Sequence, residues 1–232
     1  MNPPSTEELK THPVFGALDQ YNLERLLQVG RVDQMRRNET LFSPGDRPDK
    51  VTLILDGAVK VTAPAANKRE VILDIQGAGD VVGEDAIGNE PRATGAVVMR
   101  DAALFSFPAA AVRTLWSRSP EFALAWIRYL AGGKQRLQER VIELAYGNIE
   151  DRLFRMLFHL ARYHGVSTNK GNTVLKFRLT HQELANLIGA TRETTTLAVG
   201  RLKSSGALSF MDGKIVLKDR LRSEAAQEER AG

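Results

Sequence analysis

The sequence predicts an α+β protein with an N-terminal jelly-roll β-barrel, a long central helix and a C-terminal winged helix-turn-helix. Three observations support this fold class. Residues 31–108 consist of short apolar runs separated by Gly, Pro, Asp and Asn, which is typical of a barrel or sandwich. Residues 109–147 repeat apolar side chains at three- and four-residue steps. Residues 180–218 contain two short helical patterns around a glycine, then two strand patterns around a turn.

These patterns divide the chain into two domains. Residues 1–147 form the first, with short helices within 5–29, then the barrel, then the central helix of about 109–147 with a break near Pro120. Asn148-Ile-Glu-Asp offers N-cap chemistry for a helix over 150–163, so the second domain covers 148–220. Within it, residues 164–173 read as a loop and 174–179 as a strand. The charged tail, 221–232, is low in apolar residues.

Composition excludes several classes of protein. The chain has no cysteine, which excludes disulfides, thiolate nucleophiles and cysteine-bound iron–sulfur clusters. Its four histidines have no metal-site spacing, so we expect no metal. No run approaches the roughly 18 apolar residues of a membrane span, and the N-terminus has no secretion pattern. We therefore expect a cytoplasmic protein without a membrane partner.

Charge is unevenly distributed along the chain. Residues 152–222 hold 13 Lys and Arg against 4 Asp and Glu, a balance of +9, whereas the whole chain carries +4. A basic C-terminal third beside a slightly acidic remainder is typical of a DNA-facing domain on a sensor body. A solvated basic surface would give the same numbers.

The central helix carries a stripe that needs an apolar partner. The stripe consists of Ala123, Trp126, Leu130, Gly133, Leu137, Val141 and Leu144. Packing against the protein's own barrel would cover it, and so would a homodimer through residues 120–147. The pattern alone leaves both interpretations open.

The segment 180–202 is the most specific motif. Thr180 and Glu183 have the spacing of a capping box, and Gly189 stands where a tight turn needs positive φ. Thr191 then caps a second helix, with Thr195, Ala198, Val199 and Leu202 as its buried face. A helix, a glycine turn and a helix, followed by a hairpin at Asp212-Gly213, predict a winged helix-turn-helix that binds double-stranded DNA.

The exposed residues of this motif have the chemistry of a DNA interface. Arg192, Glu193 and Thr196 open the second helix, where arginine can bond guanine and glutamate can accept from cytosine. Thr180, His181 and Gln182 begin the first helix, where short polar groups suit phosphates. The complete predicted interface is Thr180, His181, Gln182, Thr191, Arg192, Glu193, Thr194, Thr196, Leu197 and Arg201.

The order of these parts resembles the cyclic AMP receptor protein (CRP/FNR) family of bacterial transcription regulators over roughly residues 14–218. The motifs that carry the resemblance are GEDAIGNEPRAT (83–94) and HQELANLIGATRET (181–194). It implies a cyclic-nucleotide-binding barrel, a parallel dimer along the central helix, and two recognition helices in successive major grooves of a palindromic operator. It also implies activation through RNA polymerase, contacted from the region 163–173.

By the same resemblance, residues 83–94 form a phosphate-binding cassette. Glu84 would bond a ribose hydroxyl, Arg92 would pair with a cyclic phosphate, and Gly83 would leave backbone amides open to the anion. The predicted effector-binding residues are Gly83, Glu84, Asp85, Arg92, Ala93, Thr94, Leu137 and Gln138. Cyclic AMP is therefore the candidate effector.

Three positions depart from the family's pattern. Asp85 stands where an apolar residue usually follows Gly-Glu, and Ala93 replaces a hydroxyl that Thr94 could supply. Leu137 and Gln138 align with the threonine–serine pair that contacts adenine in the best-known member. Cyclic AMP, another small anion and no ligand at all remain open, and Glu84 and Arg92 could instead form a structural ion pair.

The same reasoning sorts the remaining alternatives. Haem is not expected in the pocket, because no histidine lies between residues 13 and 158. Leu197 stands where the family has a second base-reading arginine, so we expect half-sites that resemble TGTGA only in part. A constitutive regulator with a vestigial pocket is the alternative to a gated one. No nucleophile–base pair or Walker loop predicts an enzyme.

Overall fold

The computed structural model describes residues 3–65, 70–88, 90–145, 147–168 and 171–218. The chain folds as two compact units, Met1–Leu137 and Gln138–Gly232. This division falls ten residues before the boundary that we place at residue 148, within the central helix. The predicted tail, 221–232, lies outside the described residues.

The first unit begins with two short helices and continues as a β-structure. Its elements are α1 (Thr6–Thr11), α2 (Gln20–Val29), β1 (Arg31–Met35), β2 (Thr40–Phe42), β3 (Lys50–Pro64), β4 (Glu70–Gly77), β5 (Val81–Val82), β6 (Gly95–Pro108) and α3 (Ala109–Arg118). The helix α4 (Pro120–Ala145) starts in this unit and ends in the second. Ser119 separates α3 from α4, which confirms the predicted break near Pro120.

The described strands of the first unit form one antiparallel sheet in the order β1-β6-β3-β4, with β2 on β6 and β5 on β3. β3 and β6 pair along most of their length, Leu53 lying opposite Phe105 and Val61 opposite Ala96. Shifts of register between Ile54 and Val59 bend this pair, as bulges do. The sheet is not a closed barrel, but it has the jelly-roll character that the sequence predicts.

An aromatic cluster forms the core between the sheet and the helices. Phe15, Phe107, Phe122 and Trp126 are fully buried, and Trp126 meets Phe122 and Phe15 at ring centroid distances of 5.7 and 6.4 Å. Trp126 thus packs against its own domain, one of the two arrangements that the stripe leaves open, whereas Leu130, Leu137 and Val141 of the same stripe are exposed. Ile127 follows Trp126 in the sequence and therefore leaves the helix about 100° away from it, where its side chain is exposed.

The second unit is a winged helix-turn-helix, as the sequence predicts. After the end of α4 its elements are α5 (Ile149–His164), β7 (Gly165–Ser167), β8 (Asn172–Leu175), α6 (His181–Ile188), α7 (Arg192–Ser204), β9 (Leu208–Met211) and β10 (Lys214–Lys218). The described strands pair in the order β7-β8-β10-β9. Asp212 and Gly213 form the β9–β10 turn with φ of 50° and 73°, which confirms the predicted hairpin.

Two short segments of this unit differ from expectation. Residues 164–173 are not only a loop, because β7 lies within them and β8 begins at Asn172. The predicted strand over 174–179 ends at Leu175. Phe177 and Leu179 are buried without a strand, Phe177 packing 5.5 Å from the ring of His164. Their alternation therefore comes from bends that bury every second side chain.

No helix in the described ranges combines the length and the apolar character that crossing a membrane requires.

Candidate functional site

The first candidate site is the helix pair of the second unit. The side chain of Thr180 accepts a hydrogen bond from the Glu183 amide, and the Glu183 carboxylate accepts one from the Thr180 amide at 2.7 Å. Gly189 ends α6 with φ of 64°, a conformation that costs glycine little and L-residues more. The predicted capping box and glycine turn are therefore confirmed.

The second helix of the pair, α7, divides into a buried and an exposed face. Thr191 is the N-cap of α7, and its side-chain oxygen accepts a hydrogen bond from the Thr194 backbone amide at 3.2 Å. Thr195, Ala198 and Val199 are buried, and the Thr195 hydroxyl donates to the Thr191 carbonyl at 2.8 Å. Three of the four residues of the predicted buried face are therefore buried, whereas the fourth, Leu202, is half-buried, and the opposite face of α7 is exposed.

Three predicted base-reading residues lie on that exposed face: Arg192, Glu193 and Thr196. The Thr196 hydroxyl lies 2.9 Å from Nδ1 of His181, which joins the start of α6 to α7. Beside His181, the Gln182 amide donates to Asn186 at 2.8 Å. Polar groups from both helices therefore form one surface, whose arginine and glutamate match the donors and acceptors of base edges.

Other predicted DNA contacts have partners or surroundings within the domain. Arg201 forms an ion pair with Glu150 at the start of α5. A groove of about 390 Å³ lies between α7 and the first turn of α5, and Arg201 and Glu150 line it. Leu197, which is 63% exposed, lines this groove as well. The Thr194 hydroxyl donates to the Thr191 carbonyl at 3.0 Å. A DNA contact by these three residues stays a prediction.

Sequence reasoning missed Arg140, which is only 7% exposed. Its Nη2 donates to the carbonyl of Leu187 at 2.8 Å, close to the end of α6. An arginine on an amphipathic helix is usually solvated, so the pattern gives no signal that this one is buried. The contact ties the last turns of α4 to the first helix of the DNA-reading pair.

The second candidate site lies in the first unit, where β5 leads to β6. Gly83 follows β5 with φ of 77°, and a 3-10 turn over Glu84–Gly88 comes next. Further along, the Arg92 amide donates to the Asp46 carbonyl at 3.0 Å, and the Gly45 amide donates to the Arg92 carbonyl at 2.8 Å. These bonds hold the backbone of Arg92 beside the turn that precedes β3.

The guanidinium of Arg92 is buried, with 3% of the residue exposed. Its Nη1 donates to Oδ1 of Asp85 at 2.5 Å, and its Nη2 donates to the Lys50 carbonyl at 2.7 Å. The group stacks on the Phe42 ring at 3.8 Å, and a Cβ on Gly83 would come within 2.9 Å of Nη1. Its buried Nε makes no hydrogen bond in the described structure. A side chain at residue 83 would strain the backbone, which has a φ of 77°, and would push the guanidinium from this position.

Glu84 is the third charged group of this site, after Arg92 and Asp85. Burial is the main cause that raises the pKa of Glu84 to about 7, and the neighbouring carboxylates Asp85 and Asp74 raise this pKa further. The Arg92 guanidinium acts in the opposite direction but does not compensate. Near neutral pH Glu84 is therefore partly protonated, a state in which it can donate as well as accept.

This raised pKa makes stability depend on pH. Glu84 ionises at about 4.5 in the unfolded chain and at about 7 in the folded one, so its stabilising contribution is present below pH 4.5 and is lost as the pH rises through 7. Between about pH 5 and pH 8, we expect the unfolding free energy of the wild type to fall relative to Glu84→Gln by up to about 3 kcal/mol. Urea unfolding of both proteins across this range measures the difference. Glu90→Gln, at an exposed glutamate, is the control, and a constant difference for Glu84→Gln would contradict the expectation.

The remaining predicted effector residues lie at the edge of this site or on α4. Ala93 is exposed and Thr94 is partly buried. Leu137 and Gln138 are exposed on α4. Their part in binding an effector stays a prediction.

Tyr129 is a further residue that sequence reasoning missed. Its hydroxyl accepts from the Val81 amide at 2.8 Å and donates to the Val81 carbonyl at 3.2 Å. Burial raises the pKa of Tyr129, so the hydroxyl keeps its proton. Val81 lies two residues before Gly83, and the two bonds therefore attach α4 to the strand that leads into the site around Arg92. We call this site, formed by residues 83–85 and Arg92, the arginine site.

Comparison with known protein families gives two matches. Residues 32–119 match the cyclic nucleotide-binding domain, and residues 151–222 match the Crp-like helix-turn-helix domain. The first match contains the arginine site, and the second contains α6, α7 and the wing.

Curated relatives resemble the chain across both domains. One is a CRP-like cAMP-activated global transcriptional regulator of Mycobacterium tuberculosis, 30% identical over 183 residues, which cover 78% of this chain and 80% of the relative. Another is a global nitrogen regulator of a Nostoc species, 30% identical over 189 residues, which cover 80% and 84% of the two chains. The first relative is a transcriptional regulator and the second a nitrogen regulator, so their names point to different signals.

A solved structure agrees with the fold. It is the c-di-GMP responsive regulator CLP of Xanthomonas campestris, with a TM-score of 0.73 and 24% identity over 86% of this chain and 99% of that one. This likeness shows the fold, and the relatives from Mycobacterium and Nostoc together with the two domain matches show the family. The protein belongs to the CRP/FNR family of DNA-binding transcription regulators.

Proposed function

We propose that the protein is a homodimer that binds a palindromic operator and whose affinity for this operator is set by an anionic effector at Arg92. Cyclic AMP is the candidate effector. The observation that carries the proposal is the buried guanidinium of Arg92, held between Phe42 and the Lys50 carbonyl with its Nε unbonded. A buried guanidinium is costly without anionic partners and is well suited to phosphate oxygens.

Homodimerisation is supported by the exposed apolar residues of α4. Ile127, Leu130 and Leu137 are exposed at spacings of three and seven residues, which is the repeat of a helix pair. Trp126, about 100° around α4 from Ile127, is buried in the aromatic core and holds the start of α4 on its own unit, so the exposed Ile127 face is available for a second copy. Two copies would carry two recognition helices to the two halves of a palindrome.

Tyr129 provides a physical connection between the effector site and the dimer helix. It bonds Val81 near the arginine site, and it lies on α4 two residues after Ile127. An effector that favours one position of the 81–85 segment would therefore favour one position of α4. Such coupling requires a ligand that binds one arrangement more tightly than the other.

We also propose that the dimer activates transcription by contacting RNA polymerase. The family resemblance assigns this contact to residues 163–173. Tyr163 and Val166, in this region, are exposed apolar side chains in the described part of the chain. These two side chains offer apolar contact area to a protein partner.

A constitutive regulator is the second candidate, and one observation favours it. Arg92 already has a carboxylate partner in Asp85. An arginine that is neutralised in this way needs no effector to be stable. Operator binding would then depend on the amount of protein alone.

One binding experiment separates the two candidates. The affinity of the full-length protein for a TGTGA-type palindromic duplex is measured with and without saturating cyclic AMP, at fixed salt, because phosphate contacts make affinity strongly salt-dependent. A gain of about tenfold or more, which is 1.4 kcal/mol, supports a gated regulator. Arg92→Leu should lose that gain. Tight binding that ignores the nucleotide in both proteins would support the constitutive regulator instead.

A further inference from the structure

In the arginine site the Asp85 carboxylate occupies a position on Arg92 that an anionic ligand would also need. Among the described residues the Arg92 guanidinium makes two hydrogen bonds, of which the one to Lys50 ends on a neutral carbonyl and the one to Asp85 ends on a carboxylate. Glu84 does not supply a full charge at neutral pH, since its pKa is raised to about 7. Asp85 is therefore the group that neutralises Arg92.

The two partners of this ion pair have very different surroundings. Only 1% of the Arg92 side chain is exposed, whereas 47% of the Asp85 side chain is exposed. Asp85 can therefore rotate into water at small cost, because a solvated carboxylate keeps its hydration. Arg92 cannot follow, since its backbone is bonded to Gly45 and Asp46 and its guanidinium lies on Phe42.

A carboxylate and a phosphate offer a guanidinium the same type of acceptor oxygen. Both groups are negative, so they repel each other at the short distance at which each would contact Nη1. We propose that Asp85 is an internal counter-ion that occupies the anion position of Arg92 and that an anionic effector must displace. This inference rests on the proposed function in taking Arg92 as the effector's anchor.

The Asp85 counter-ion would make the site selective among anions. An inorganic anion gains only the contact to Arg92, and it has to displace Asp85 to make it. A larger effector makes further contacts with the site. The binding free energy of these contacts can offset the free energy that displacing Asp85 costs. Asp85 therefore keeps small anions out of the site and raises the effector concentration at which the site fills.

Inorganic phosphate tests the displacement without any need for DNA or nucleotide. Phosphate is titrated into wild type and Asp85→Asn at constant ionic strength, and thermal unfolding gives the dissociation constant, because a ligand of the folded state raises its stability. We expect Asp85→Asn to bind phosphate about 10-fold to 100-fold more tightly than wild type, the range expected for removing one adjacent like charge. Asp85→Glu, which keeps the carboxylate, should behave as wild type.

Two further variants make the outcome decisive. The double variant Asp85→Asn/Arg92→Gln should lose the gain, since the gain requires the guanidinium. Asp85→Ser should repeat the result of Asp85→Asn, and it replaces that variant if Asp85→Asn does not fold. Equal phosphate affinity in wild type and in Asp85→Asn, or in Asp85→Ser where it replaces that variant, would overturn the proposal, and so would a gain that survives without Arg92. Failure of cyclic AMP to change operator affinity, with the phosphate result as expected, would overturn the proposed gating alone.

Discussion

Replacement of Ile127 by glutamate is expected to convert the proposed dimer into a monomer and to lower operator affinity by at least about 100-fold. The Ile127 side chain is 59% exposed in the single chain and lies in line with Leu130 and Leu137. A charge placed at the centre of an apolar helix pair loses its hydration on association, which costs several kcal/mol unless it is paired. A monomer then binds one half-site and loses the second set of contacts.

Sedimentation velocity and titration of the operator duplex measure the two effects of Ile127→Glu. Arg128→Glu is the matched control, because Arg128 is also exposed but leaves α4 about 100° away from Ile127. The control should stay dimeric. If Ile127→Glu also stays dimeric and binds the operator normally, the dimer does not form along this face of α4.

Arg192→Ala is expected to remove most of the sequence preference and little of the general affinity for DNA. Arg192 is exposed at the first position of α7, where a side chain can reach base edges in the major groove. A bidentate arginine–guanine contact contributes about 1–3 kcal/mol of discrimination at each half-site. With two half-sites, the loss on the operator should reach about two orders of magnitude.

The comparison that checks this expectation uses an operator duplex and a scrambled duplex at the same salt concentration. Gln182→Ala is the control, since Gln182 lies at the start of α6, where we predict contacts to phosphates and not to bases. It should weaken binding to both duplexes by similar factors. Equal losses on both duplexes for Arg192→Ala would show that Arg192 does not read sequence.

The features that sequence reasoning recovered are those with a local physical cause. The capping box at Thr180, the left-handed turn at Gly189 and the hairpin at Asp212-Gly213 each depend on residues within four positions. Such signals survive in any tertiary context, because backbone sterics and cap geometry do not depend on distant packing. The order of jelly-roll sheet, long helix and winged helix-turn-helix follows from them together with hydrophobic periodicity.

Features that depend on which side of an element meets the core could not be predicted. The stripe on α4 combined Trp126, which the aromatic core buries, with Leu130 and Leu137, which are exposed. Periodicity shows that a helix has an apolar face, but it does not show which of its residues pack against the protein's own core and which stay exposed. The alternation at Phe177 and Leu179 misled for a related reason, since bends can bury alternate side chains as strands do.

By itself the sequence determined the helix-turn-helix pair, through its cap and turn signals, and its family resemblance predicted an arginine cassette in a β-domain. Only the tertiary structure decided what the arginine meets. Lys50 begins β3 and Phe42 ends β2, both more than 40 residues before Arg92, and the Arg92–Asp85 pair depends on the path of an irregular segment. Ion pairs and buried hydrogen bonds form between groups that the fold brings within about 3 Å, and no local pattern in the chain encodes that distance.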